Sequence, residues 1–384
     1  MIAMPLSALD LTKSLIAFDT TSRGSNLALI DFAQELLEKF GARCRRSFDK
    51  SSRKANLFAT IGPDTGGGYV LSGHTDVVPV DGQDWSSDPF EPEVRGDRLY
   101  GRGACDMKGF VGTALAMARE IGEARLKRPI HFALSYDEEV GCRGAPRLLD
   151  DLKKAEIKPA LAIVGEPTSM RVVGAHKGGT GLVTRCHGKE GHSSAPHKGA
   201  SAVMLAGEFV AGIDRVGRML RSDSDSRFDP PYTTLQANVI RGGTALNILA
   251  REAVINWECR TLPGRDPRDV AQRMEEYAAN HILPRYAHAP EADIETKIVS
   301  SYPGLALDAD SPAVALAREL SGANHVETVA YGTEAGLFQA AGIPAVVCGP
   351  GSIDQAHKPD EFVELAQLAA CEVFLRKLVA RACA

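Results

Sequence analysis

The eight cysteines of this sequence, at positions 44, 105, 142, 186, 259, 348, 371 and 383, never pair as CxxC. That spacing offers neither a thiolate zinc site nor a disulfide framework, and it fits a reduced, cytoplasmic protein. A basic block is also missing. Lysine and arginine total 44 against 49 acidic residues, for a formal net charge of −5. Binding nucleic-acid phosphates needs a concentrated positive face, so nucleic acid is not expected as a partner. No apolar run is long and uninterrupted enough to cross a bilayer. The opening MIAMPLSALDLTKSLIAF has no basic stretch ahead of a continuous apolar core, which predicts no secretory leader. Internal repeats and low-complexity tracts are absent too. The glycines at 66–68 precede a strand-like segment rather than opening a helix. The dinucleotide fingerprint of a Rossmann-type oxidoreductase is therefore missing.

What remains is an ordinary soluble composition, 44% hydrophobic and 24% charged, over 384 residues. That length favours two domains. Residues 7–40 read as two helices around a Thr/Ser/Gly/Asn break. NLFATIG (56–62), GYVLSGH (68–74), PIHFALSYDEE (129–139) and PALAIVGEPTS (159–169) read as strands. Helical patterns lie between them at 104–120 and 143–152. This alternation predicts an α/β catalytic domain with a mostly parallel sheet. The texture changes near 180, where a half-exposed strand, a long helix at 199–220, two or three strands within 232–262, a helix at 266–286 and a strand at 293–300 follow. That order is a smaller α+β, ferredoxin-like unit. The α/β texture then returns with a helix at 311–320, a strand at 343–351 and a closing helix over 360–382. The predicted organisation is a domain of residues 1–179 and 301–384 interrupted by an inserted domain at 180–300.

Acidic and imidazole groups collect just past the strands of the larger domain: His74, Asp76, Asp106, Glu138, Glu139, Glu166 and His357. In an open α/β sheet the carboxyl ends of the strands form the ligand crevice. Each residue taken singly has an ordinary explanation. Asp106 could cap the helix that follows, Glu138 and Glu139 could be a solvated loop end, Glu166 before Pro167 a turn residue, and His357 a surface histidine. Together they point elsewhere. Five carboxylates on one rim repel, and two divalent cations would resolve that repulsion. Imidazole and carboxylate donors without thiolate suit zinc, cobalt or manganese. His74 and Asp76 are two apart, so in extended chain they share a side, one able to bind metal while the other orients it. Glu138 and Glu139 are adjacent and diverge, one toward metal and the other toward water as general base. Asp106 is a candidate bridge, and cations about 3.5–4 Å apart can share a hydroxide and polarise an amide carbonyl. His281 and His288 read as structural, and Cys142 as a packing residue.

The motifs SGHTDVVP, GRGACDMKGF, DEEVGCRGA, GEPT, GHSSAPHKGASA and QAHKPDE resemble the dinuclear metallopeptidase family of acetylornithine deacetylase, succinyl-diaminopimelate desuccinylase and glutamate carboxypeptidase. The likeness runs over essentially the whole chain. The stretch YGTEAGLFQAAGIPAVVCGPGSIDQAHKPDE is most similar to the acetylornithine deacetylase branch, which implies arginine biosynthesis. The resemblance implies that His74 and Glu166 bind one metal ion, Glu139 and His357 the other, and Asp106 both. It implies two zinc ions, or cobalt in their place. It makes Glu138 the general base and Asp76 the residue that fixes His74. The insertion becomes a lid and dimerisation domain whose His192 reaches the partner's site in a homodimer. Arg260 and Asn247 fall where the family contacts substrate, here a small N-acyl amino acid, and Gly332 and Thr333 lie in a loop expected to line the pocket. A desuccinylase or another N-acyl amino-acid hydrolase or carboxypeptidase is the neighbouring alternative. A non-catalytic metal-binding protein on the same fold is the alternative of another class, and the retained Glu138 discriminates against it.

Overall fold

Strands buried on both faces read as unbroken apolar runs, and four of them lie side by side at the centre of the larger unit. They are Ile130–Ser135, Tyr69–His74, Leu161–Val164 and Ala345–Val347, buried at every residue and parallel to one another. The structure is a computed structural model and describes residues 7–308 and 310–384. The first six residues of the stretch read for a leader lie outside the described part.

The central strands belong to an eight-stranded sheet whose flanks turn antiparallel. Ala55–Ile61 and then Arg43–Phe48 extend one side, and Val173–His176 and Glu327–Val329 the other. Arg43–Phe48 was not legible in the sequence. It reads RCRRSF, is exposed at alternate positions from Arg43 to Arg46, and occupies an edge where charge discourages pairing with other chains. The helix Lys108–Ala116 is buried from its first residue to Leu115. A Cβ on its Gly112 would meet Thr12 atoms at 2.4–2.7 Å, so glycine lets the helix Ala8–Ile16 pack against it. Gly165 does the same service for the site. A Cβ there would sit 1.9 Å from the Phe110 ring, and the next residue is Glu166.

The closing helix begins at Leu365, not at 360. Phe362–Glu364 is instead a strand, paired antiparallel with Arg98–Tyr100, which pairs in turn with Glu93–Arg95. The reason is local: Phe362 and Val363 favour extended chain, and the Phe362 ring contacts Tyr100 at 5.4 Å between centroids.

Chain contacts divide the protein into two units, one of residues up to 175, 305–328 and 333–384, the other of 176–304 and 329–332. The second unit follows the order strand, helix, two strands, helix, strand. Its antiparallel sheet runs Thr234–Gly242, Glu252–Thr261, Gly178–His187, Asp293–Tyr302, the ferredoxin-like arrangement. The helices Ala202–Leu220 and Pro267–Tyr277 supply the other layer. The Phe209 and Trp257 rings meet edge to face in its core, and Trp257 Nε1 donates to Thr184 Oγ1 at 2.9 Å.

Candidate active site

Each of the four central parallel strands delivers a polar group at its carboxyl end. His74 is the last residue of Tyr69–His74, Glu138 and Glu139 follow Ile130–Ser135, and Glu166 follows Leu161–Val164. His357 comes after Ala345–Val347 and a short 3₁₀ turn, Ile353–Gln355. Because the strands run parallel, these ends lie on one rim.

Asp106 stands between the two imidazoles. Its Oδ1 lies 2.9 Å from His74 Nε2, and its Oδ2 lies 3.2 Å from His357 Nε2. His74 Nε2 is also 3.9 Å from Glu166 Oε1, and His357 Nε2 is 3.0 Å from Glu139 Oε2. Ligand atoms of His74, Asp106 and Glu139 lie within 4.8 Å of one another, as do those of His74, Glu138 and Glu166. The helix-cap reading of Asp106 does not hold. Met107 occupies the cap position of Lys108–Ala116, which has no side-chain cap hydrogen bond.

Asp76 orients His74, but not through the atom its carboxylate suggested. His74 Nδ1 lies 2.9 Å from the Asp76 main-chain oxygen and 3.7 Å from its carboxylate. The carboxylate accepts instead from Ser22 Oγ at 2.7 Å and from the backbone N–H groups of Glu138 and Glu139 at 3.0 and 3.3 Å. Asp76 therefore ties the strand end carrying His74 to the turn carrying the adjacent glutamates. Cys142, read as packing, does more than pack: its Sγ donates to Glu138 Oε1 at 3.3 Å.

The electrostatics follow from burial. Burial pushes the Glu138 carboxyl up to about 8 despite the opposing pull of His74. Burial, then the Asp106 charge, pushes Glu139 up to about 7. Glu166 lies well above the usual carboxylate range for the same two reasons. Asp106 goes the other way, because hydrogen bonds from His357 and His74 outweigh its burial and hold it far below that range. Hydrogen bonds to Asp106 and Glu139 raise His357 to about 10. Burial lowers His74, but the Asp106 hydrogen bond and the surrounding carboxylates carry it well above its ordinary value. This donor set fits divalent cations. It crowds carboxylates where burial penalises bare charge, and two imidazoles face the shared aspartate. Among the described residues neither Cys105 nor Cys142 belongs to those ligand groups; their Sγ atoms donate to the Ser352 carbonyl and to Glu138 Oε1 instead.

The other expected residues lie in different surroundings. His192 is exposed on the two-residue strand Gly191–His192, its Nδ1 2.8 Å from Ser194 Oγ. Asn247 is its neighbour, since the Asn247 carbonyl accepts from Ser193 N at 3.1 Å. Arg260 donates to Tyr302 Oη at 2.6 Å and Glu258 Oε2 at 3.0 Å. Gly332 packs on the same Tyr302, where a Cβ would fall 2.2 Å from the ring. Thr333 is fully buried, and its hydroxyl accepts from Ala335 N at 3.0 Å, a packing position rather than an open wall. His288 Nε2 lies 3.0 Å from the Gly199 carbonyl. Sequence reading missed Ser22 and Glu334. Glu334 is 2% exposed, and burial pushes it up to about 7. No local pattern marks either residue.

A model of peptidase family M20/M25/M40 matches residues 70–381. The acetylornithine deacetylase of Myxococcus xanthus is 40% identical over 378 residues, spanning 96% of this chain and 96% of that protein. The acetylornithine deacetylase of Proteus mirabilis (strain HI4320) is 34% identical over 374 residues, 97% of this chain and 94% of that protein. Among solved structures, the M20 family metallo-carboxypeptidase Sso-CP2 from Sulfolobus solfataricus superposes with a TM-score of 0.77 at 17% identity, over 97% of this chain and 98% of that one. The Bacillus subtilis YXEP protein, a dinuclear metal binding peptidase from the M20 family, gives 0.67 at 16% identity over 97% and 96%. At those identities the structures speak for the fold.

Proposed function

We propose that this chain, which belongs to peptidase family M20/M25/M40, hydrolyses N2-acetyl-L-ornithine to L-ornithine and acetate, a step of arginine biosynthesis. It is a metal-dependent amidohydrolase, and its nearly full-length relatives named acetylornithine deacetylase support that substrate. One observation carries the site reading: the two oxygens of Asp106 face two different imidazoles, each with a further carboxylate beside it. His74 and Glu166 would hold one cation, His357 and Glu139 the other, and Asp106 both. Bound there, two zinc ions, or cobalt in their place, supply Lewis acidity that acidifies a water and polarises the acyl carbonyl.

The remaining work falls to the chain's own groups. Glu138 takes a proton from the attacking water and returns it to the departing amine nitrogen. Burial raises the Glu138 carboxyl in the metal-free protein, the direction that favours its accepting a proton. The Cys142 thiol holds one Glu138 oxygen, so the other is left to face the water. Arg260, braced by Glu258 and Tyr302, offers a planar fork to the substrate carboxylate, with Gly332 packed on the same tyrosine. His192 steadies the oxyanion from a second copy of the chain. A homodimer through the insertion is supported by apolar exposure at its edge: Ile240 is 53% exposed on the outer strand Thr234–Gly242, and Leu246 beyond it is 101% exposed. A cytoplasmic location is supported by eight free cysteines, and no described helix is long and apolar enough to cross a membrane.

The test is product release from acetylornithine, acetylcitrulline, succinyl-diaminopimelate and acylated glutamates by the metal-loaded protein. Acetylornithine is expected to show the highest kcat/KM. Faster cleavage of succinyl-diaminopimelate would replace this reading with that of a desuccinylase.

A further inference from the structure

Two loops far apart in the chain, 101–107 and 356–361, carry Asp106 and His357, and a single buried carboxylate ties them together. Glu361 is 1% exposed. Its Oε1 accepts from the backbone N–H groups of Cys105 at 2.9 Å and Asp106 at 3.0 Å. Its Oε2 accepts from Gly103 N at 3.1 Å and from Arg102 Nη1 at 2.7 Å. Arg102 is equally buried, reaches the Lys358 carbonyl at 3.3 Å, and donates through Nη2 to Gln83 Oε1. Gln83 closes the ring by donating from Nε2 to the His357 carbonyl at 2.8 Å. The Arg102 guanidinium also lies over the Trp85 ring, 5.0 Å from its centroid.

A buried ion pair is weak evidence of a stability device, since well-packed apolar residues often do as well in its place. Its geometry here is more informative. The bonds end on the Asp106 amide and the His357 carbonyl, the backbone on either side of the 3.2 Å gap between Asp106 Oδ2 and His357 Nε2. The other half of the centre has no such need. His74 and Glu166 sit at the ends of strands already held in register by the sheet, with Ser72 opposite Val164. His357 belongs to no strand, adopts a φ of +65°, and leaves its side chain 52% exposed. Its position must be supplied from outside its own segment.

We propose that the buried Arg102–Glu361 pair, completed by Gln83, is a positioning device for the His357–Glu139 half of the metal centre, governing cation occupancy there more than at the His74–Glu166 half, which shares Asp106 but is otherwise held by the sheet. These are positioning residues, since none of them is assigned to cation or substrate. The inference rests on the two-cation reading above.

The experiment is a titration of metal-free protein with Co2+, followed by calorimetry and visible absorption, with bound metal counted after gel filtration. Wild-type protein is expected to take up two equivalents. In Glu361→Gln and in Gln83→Ala the second equivalent should weaken about 10–100-fold, and the first should stay within about threefold. Gln83→Ala removes no buried charge, and an Arg102→Met/Glu361→Leu double variant leaves no orphaned ion, so folding does not obscure the result. Thermal unfolding of each metal-free variant verifies this. Two equivalents in wild type with both weakened alike in the variants, or neither weakened, overturns the inference alone. One equivalent or none in wild type overturns the two-cation reading, and the inference with it.

Discussion

Loading the centre with cations should expel protons, at least about one to two per chain at pH 7. The count follows from the metal-free electrostatics. His357, raised to about 10 by Asp106 and Glu139, carries a proton at pH 7. The Asp106 hydrogen bond and nearby carboxylates draw His74 in the same direction against its burial, and burial holds Glu166 above the usual carboxylate range. Glu139, pushed up to about 7, is about half protonated. A cation needs neutral imidazole nitrogen and ionised carboxylate, so such protons must leave. One from His357 and about half of one from Glu139 set a floor of about one to two. The sign is fixed as well: the loaded form holds fewer protons, so affinity rises with pH. The assay is calorimetric titration of metal-free protein with Zn2+ at pH 7 in phosphate, HEPES and Tris. The slope of observed enthalpy against buffer ionisation enthalpy counts the protons. A slope below one would show that His357 was neutral before metal arrived, which refutes the charge arrangement argued for the site.

Three further outcomes are expected. Glu138→Gln should retain bound metal and lower kcat about 10²–10⁴-fold, near 3–5 kcal/mol of barrier; turnover close to wild type by product release would remove Glu138 as the base. Cys142→Ala deletes the donor to Glu138 Oε1 and should lower kcat roughly fivefold with KM unchanged, Cys142→Ser recovering much of the loss; a change confined to KM would contradict it. His176 is fully buried, and burial pulls it down to about 4 from 6.5. Its folded pKa lies below the unfolded value, so its contribution is complete above pH 6.5 and falls away toward pH 4, by up to about 3 kcal/mol. Urea midpoints of wild type should therefore fall more steeply over that range than those of His176→Gln, and parallel curves would refute it.

Much of the site was legible because its residues sit where local pattern changes. SGHTD, YDEE and GEPT each follow a buried apolar run, and a polar group at such a position is conspicuous in one dimension. The insertion was legible from a change of period along the chain. Pairwise facts were not. Nothing near Asp76 says that its carbonyl, rather than its carboxylate, meets His74 Nδ1. Cys142 looked like packing because its partner, Glu138, becomes visible only when the turn folds. Glu361 and Arg102 lay inside two of the quoted motifs, yet their bond spans 259 positions. Arg43–Phe48 and Phe362–Glu364 escaped for a different reason. Charge on the first and helix-like neighbours on the second mask strands that exist because a partner strand is waiting.

The strand Ala345–Val347 lies between Leu161–Val164 and Val173–His176, although the whole insertion separates it from them in sequence. Synthesis from the N-terminus therefore delivers this inner strand only after the whole insertion. His357 emerges later still, so until then the chain holds the five acidic groups and one histidine of the rim without its last imidazole. Contacts of such long range form slowly. The centre can be completed only when nearly the whole chain has been made.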